Sequence, residues 1–156
     1  IHKRSSVRTP EQMADETTFA STDEERVPAA YFVPAEQKAA VELLRAHGIT
    51  LERVATASTL PLEEFTVAES TTTPKPFENH QERTVTGSWA AVEREVPAGA
   101  YRVAMTQKLA RLAFYLIEPE SDDGLTNWNV MDPWLEVGKP APVRKIMANV
   151  RAATKK

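Results

Sequence analysis

Four acidic side chains fall within six consecutive residues of this chain: Glu118, Glu120, Asp122 and Asp123. Carboxylates gathered in this way suit a hard cation such as calcium, which wants several oxygen ligands. They also suit acid–base catalysis, provided that a carboxyl among Glu118, Glu120 and Asp122 has a raised pKa and sits in a cleft. The spacing favours neither. The alternating Asp-x-Asp-x-Asp-Gly order of a calcium loop is missing, and Asp122-Asp123-Gly124 has the composition of a turn after a proline-terminated helix. The turn is the preferred reading; the alternative for Glu118, directly after an apolar helix face, is partial burial and pairing with an arginine such as Arg94.

The three histidines define no better site. His47 stands at a predicted helix end, where an imidazole favours the dipole and reaches free carbonyls. His80 lies near Glu78 and Glu82, but two carboxylates and one histidine without fixed spacing read as a solvated loop rather than a metal site. His2 falls in a polar arm. Trp89, Trp128 and Trp134 are able to line a ligand surface by stacking, although three tryptophans in a domain of this size more often serve packing. There is no Gly-rich phosphate loop, no Gly-x-Ser-x-Gly, no His-Glu-x-x-His and no basic-aromatic strip. No catalytic, cofactor-binding or metal-binding residue is assigned. An exposed sheet edge, open to a partner strand, is the remaining binding feature.

Composition narrows the class. The 156 residues fit one domain with a sizeable core, and 42% hydrophobic with 26% charged residues is ordinary for a globular protein. A net charge of −3 argues against a nucleic-acid partner bound through phosphate neutralisation. No apolar run approaches the roughly 18 residues of a membrane span. Without cysteine there is no disulfide, thiolate zinc site or thiol nucleophile. The sequence starts at Ile1 with neither an initiator methionine nor a signal-peptide pattern, which reads as a mature or recombinant fragment of a longer polypeptide.

The elements that would position these residues come from periodicity. Residues 1–27 are polar and read as a linker or extended arm, with Phe19 as its one aromatic anchor. Tyr31 and Val33 alternate as a strand, and Pro34 is placed to open a helix over residues 35–47. In it Gln37, Ala40, Val41, Leu44 and Gly48 share one face, widened by Leu43, and Gly48 closes it. A returning strand follows at 49–54, then a connection at Leu60-Pro61-Leu62, a strand at 63–69 and a long loop at 70–82. Residues 84–96 alternate again, with a change of phase near Ala90-Ala91 that suggests a bulge or turn. After Pro97-Ala98-Gly99 come a strand at 100–104 and a helix capped by Thr106 and ended by Pro119. Its face is Leu109, Leu112, Ala113, Leu116 and Ile117. Residues 118–129 are turn-rich, 130–135 form a short packed segment, and the basic stretch 144–156 reads as a fraying end.

One pattern occurs twice. Ala30-Tyr31-Phe32-Val33 with Gln37-Lys38-Ala39-Ala40 returns 70 residues later as Ala100-Tyr101-Arg102-Val103 with Gln107-Lys108-Leu109-Ala110, six identities in an eleven-residue window. Both copies follow a Pro-Ala pair, Pro28-Ala29 and Pro97-Ala98. The expected fold is α+β: an antiparallel or mixed sheet of about five or six strands, with two main helices from duplicated strand-helix units packed on one face.

Further residues carry a family resemblance. Pro28-Ala29-Ala30-Tyr31-Phe32-Val33-Pro34 with His47-Gly48-Ile49, then Pro76-Phe77-Glu78-Asn79-His80, open the pattern. Leu116-Ile117-Glu118-Pro119-Glu120-Ser121-Asp122-Asp123-Gly124-Leu125, with Trp128-Asn129, Asp132, Gly138-Lys139 and Pro142-Val143-Arg144, complete it. Together they are similar to the region C-terminal to the catalytic domain in bacterial zinc carboxypeptidases of the carboxypeptidase A-like superfamily. The resemblance implies an accessory domain at 28–146, preceded by the arm at 1–27 and followed by a basic tail at 147–156. It implies a parent zinc metallocarboxypeptidase that is secreted or periplasmic, with zinc held in a catalytic domain of the same polypeptide. That equipment does not carry over here: Ser5, Thr50 and Arg83 stand third after the three histidines, so no His-x-x-Glu exists. The expected partner is that catalytic domain, with an independent glycan- or peptide-binding module as the alternative; neither nucleic acid nor a membrane span is expected.

Overall fold

A computed structural model describes residues 24–76 and 78–148. Most of the predicted arm with His2 and Phe19, together with Phe77 and residues 149–156, lies outside the described residues. The elements run β1 (Ala30–Val33), α1 (Lys38–Ala46), β2 (Glu52–Arg53), β3 (Ser58–Thr72), β4 (Arg83–Val96), β5 (Tyr101–Ala104), α2 (Ala110–Ile117), a 3-10 turn (Asp132–Trp134) and β6 (Pro140–Ile146). One six-stranded sheet has the order β2-β5-β1-β6-β3-β4, antiparallel throughout. This is the α+β architecture that the periodicity implies.

The repeated strands are sheet neighbours. Tyr31 pairs with Val103 and Val33 with Tyr101, while Phe32 faces Arg102. Each residue of one copy thus meets the other copy as an approximate two-fold axis through Phe32 and Arg102 requires. Both helices lie on one face, where Tyr31, Val33, Val41, Leu44, Val103, Ala113, Leu116 and Ile117 share a core. Gly48 adopts the left-handed conformation that ends α1, at φ +78°. Gln107 anchors the second copy, accepting from Thr50 N at 2.8 Å and donating to Ala104 O at 3.0 Å.

The hairpin differs from its sequence reading. Residues Leu60, Pro61 and Leu62 belong to β3 rather than to a connection, and β4 runs through Ala90-Ala91 unbroken. The change of phase there is a change of buried face. Phe65, Val67 and Val85 are buried on the helix side, with Trp89 packed against them. Leu62 and Val96, with Leu60 and Val92, pack on the opposite face against Phe32. The bulge lies instead between Val67 and Glu69. Pro61 is tolerated because β6 pairs with β3 only from Glu63 onward, so its missing donor disrupts no second ladder.

The switch of faces follows from chain length. In a flat sheet β2 and β3 would lie four spacings apart, about 19 Å. Five residues, from Arg53 to Ser58, reach at most about 18 Å. The return from Val96 to Tyr101 faces the same limit, and the two connections run side by side, with Val54 N donating to Ala100 O and Gly99 N donating to Val54 O, each at 2.8 Å. The overhanging half of the hairpin therefore curls across the helix-free face.

Smaller differences have local causes. α1 starts at Lys38, because Pro34 opens a turn in which Gln37 N donates to Pro34 O at 3.2 Å. α2 starts at Ala110, with Leu109 rather than Thr106 at its N-cap and no side-chain cap. The returning strand shortens to two residues. β6 occupies part of the predicted fraying end; two prolines mask it, and they coincide with its register shift against β3.

Gly87 marks the tightest backbone approach in the hairpin. A Cβ there would lie 2.2 Å from Thr66 O and 2.6 Å from the Phe65 ring. Gly87→Ala is expected to destabilise the domain by about 1–3 kcal/mol through overpacking. Urea unfolding measures it, and an unchanged midpoint would contradict this close contact.

Candidate functional site

The acidic block begins where α2 ends. Pro119 disfavours helical backbone at the residue before it, and Glu118 is extended at φ −59°, ψ 129°. Its carboxylate turns toward the sheet and accepts a hydrogen bond from the Tyr31 hydroxyl through Oε1. Lys145 Nζ lies 3.5 Å from the same oxygen and 3.1 Å from Glu25 Oε1. The ammonium also sits 3.8 Å from the centre of the Trp89 ring. Tyr31 and Lys145 are cross-strand partners on β1 and β6, and both are completely buried.

Burial dominates the electrostatics of this group. It raises the Glu118 carboxyl above the ordinary range, while the Tyr31 hydrogen bond and the Lys145 charge pull it back. Burial, then the Glu118 charge, raises the Tyr31 phenol so far that it stays a neutral donor. A tyrosine, a carboxylate and a lysine in contact are groups suited to proton transfer. Here Tyr31 and Lys145 expose no surface and Glu118 is 7% exposed, so no substrate reaches them. The cluster is a polar pin.

Beyond Glu118, each carboxylate of the block holds an internal donor. Glu120 Oε1 accepts from Gly87 N at 3.0 Å, which covers part of the outer edge of β4. Asp122 accepts from the Tyr115 hydroxyl at 2.5 Å, a bond that pushes this phenol up to about 12. Asp123 accepts from Trp128 Nε1 at 2.5 Å. Leu125 N donates to Leu116 O at 2.8 Å, closing the turn. The block is a clasp, as its turn composition implies.

Other expected positions are resettled. Glu118 does not pair with Arg94, which belongs to the opposite face and meets Glu64. His47 Nδ1 lies 2.9 Å from Leu43 O, as the helix-end reading requires. His80 is not a solvated loop residue: its ring stacks on Trp128 at 4.0 Å and 22°. Arg83, third after His80, lies 2.7 Å from Asp132 and donates to Ser70 Oγ at 2.7 Å, tying the hairpin to the 3-10 turn. Among the described residues no three His, Asp or Glu side chains converge on a metal position, so they do not fit a zinc centre. No helix among them is long and apolar enough to cross a membrane.

A cleft of about 420 Å³ opens between the helices and the clasp, lined by Leu43, Leu112, Leu116 and Val130 with Tyr115, Trp128 and His47. Tyr115 and Trp128 are 42% and 39% exposed, yet their polar tips are fixed by Asp122 and Asp123. Glu25 and Lys145 escaped the sequence reading. The signal for Lys145 was its phase, since Ala141, Val143 and Lys145 alternate onto the core face of β6.

Glu118 and Lys145 make stability depend on pH with a definite sign. Because the Glu118 carboxyl is raised, the native state keeps its proton where the unfolded chain has lost it. Stability contributed by this group therefore falls as pH rises from the ordinary carboxyl range through the raised value. Lys145→Met removes the charge that opposes the shift. The variant is expected to lose about 3–5 kcal/mol at neutral pH and to recover part of it near pH 5. Urea unfolding of both proteins at the two pH values checks this; an equal deficit at both contradicts it.

Comparison with known proteins adds relatives but no family assignment. No family model and no solved structure matches the chain. Carboxypeptidase 2 of Trichophyton tonsurans is 27% identical over 119 residues, 76% of this chain and 22% of that protein. Carboxypeptidase 2 of Trichophyton equinum is 29% identical over 104 residues, 67% of this chain and 19% of that protein. These relatives are fungal, not bacterial, and the chain spans about a fifth of their length. At this level of similarity, most of the chain is a carboxypeptidase-related region.

Proposed function

We propose that this chain is a non-catalytic accessory domain of a carboxypeptidase polypeptide, supporting or orienting its peptidase part. The observation that carries the reading is the use of the acidic block. In a chain similar to carboxypeptidases, Glu118, Glu120, Asp122 and Asp123 each hold an internal donor instead of facing a shared open site. On this reading the hydrolytic chemistry, and the zinc that the family resemblance implies, belong to other parts of the polypeptide. The purified chain, supplied with zinc, is expected to release no C-terminal residues from peptides and to retain no stoichiometric metal. Peptide hydrolysis abolished by Glu118→Gln, or one bound zinc per chain by atomic emission, would overturn the proposal.

The aromatic cleft favours a second reading, a glycan- or peptide-binding module. Exposed rings held at their polar tips offer stacking surface at little cost in side-chain entropy. On that reading, titration with oligosaccharides and short peptides shifts tryptophan emission saturably. Trp128→Ala removes the response, whereas emission unmoved across the panel eliminates this alternative.

A further inference from the structure

The helix-free face carries an ordered row of residues across all six strands. Glu52 faces Arg102, Arg102 faces Phe32, Phe32 faces Arg144, Arg144 faces Glu64, and Glu64 faces Ala90. Phe32 is thus flanked by two arginines, each backed by a glutamate. The two ends differ. Arg102 is matched by Glu52 alone, at 2.7 Å. Glu64 receives two cations: Arg144 Nε at 2.6 Å and Arg94 Nε at 3.2 Å, both on Oε1.

Both guanidinium groups meet this carboxylate through Nε. Arg94 Nε also reaches Oε2 at 3.3 Å. The Nη atoms of Arg94 and Arg144 meet no acceptor among the described residues, whereas Arg83 donates through both Nη1 and Nη2. Glu64 is 8% exposed, while the side chains of Arg94 and Arg144 are 52% and 26% exposed. Two cations against one carboxylate leave a positive charge. On the same face of β4 the neighbours of Arg94 are Val92 and Val96, and Arg102 is already matched by Glu52. A single bidentate arginine would satisfy Glu64. Two arginines gripped from behind leave their Nη donors to an outside acceptor.

We infer that Arg94 and Arg144 form an oxyanion-binding site, with Glu64 as the residue that positions them. The ligand group is planar or tetrahedral and carries several oxygens, a carboxylate or a phosphate, because guanidinium donors match that geometry. A peptide terminus or acidic side chain would supply the first, a phosphorylated ligand the second. This site is independent of the cleft on the helix side and of the accessory-domain reading.

The test uses the whole chain at constant ionic strength, titrated separately with inorganic phosphate and with N-acetylglycine. Arginine Nε resonances are followed by nitrogen–proton correlation spectra. At least one probe is expected to shift the Arg94 and Arg144 signals saturably, and the tighter probe identifies the ligand chemistry. Arg94→Gln, which leaves Glu64 paired with Arg144, should weaken binding about tenfold, the scale of a lost hydrogen bond to a charged group. Arg102→Gln on the same face should leave binding unchanged, and circular dichroism verifies that both variants fold. Non-saturating shifts with both probes, or an affinity indifferent to Arg94→Gln, would overturn the site.

Discussion

An ammonium group withdrawn from water loses hydration worth several kcal/mol, and fully buried Lys145 must recover that from its neighbours. Those neighbours come from distant parts of the chain. Glu118 follows α2, Glu25 precedes β1, Trp89 sits on β4, and Tyr31, on the adjoining strand, orients Glu118. Helix layer, arm, hairpin and central sheet are therefore tied to one charge. A hydrophobic residue at 145 would fill the space without requiring any of these segments to take a particular place. The charge contributes to stability by answering Glu118, and to specificity because alternative packings leave it unpaired. Glu25 also gives the end of the polar arm a fixed seat on the body, reinforced by Arg26 with Glu63 at 3.2 Å.

The hairpin solves a different constraint. Its two long strands leave the sheet near Glu64 and Ala90, and from there the side chains that meet the core exchange faces. The half nearer the turn packs beneath the clasp, and the other half covers Phe32. An extended strand that buries opposite faces along its length cannot obey a single alternation. That physical fact gives the domain an apolar cluster on the helix-free face without a third helix.

The same fact explains what was legible in the residues. Local patterns served where one face is buried throughout: Tyr31 with Val33, the stripe of α1 and the repeat all led to observed elements. The change of phase at Ala90-Ala91 was a true signal with the wrong local cause, because periodicity records burial rather than backbone continuity. β6 was hidden by Pro140 and Pro142, residues that argue against a central strand and are accommodated here by irregular pairing. The acidic block was recognisable as a turn. Its partners were not, since Tyr31, Gly87 and Lys145 are distant in sequence and are brought to it only by the sheet order.

That distribution bears on what a distinctive motif means. Glu118 to Asp123 drew attention as a concentration of possible chemistry, yet its carboxylates hold a phenol in the core, a strand edge and two surface aromatics. Such a block is constrained at every position by geometry, so its composition can be particular without a reaction depending on it. The domain's exposed surface includes an aromatic cleft between the helices and the clasp and, on the other side of the sheet, arginine donors held by Glu64. These opposed faces require only the fixed sheet between them. The sheet holds both faces in one geometry, and the buried lysine ties together the segments that make its frame.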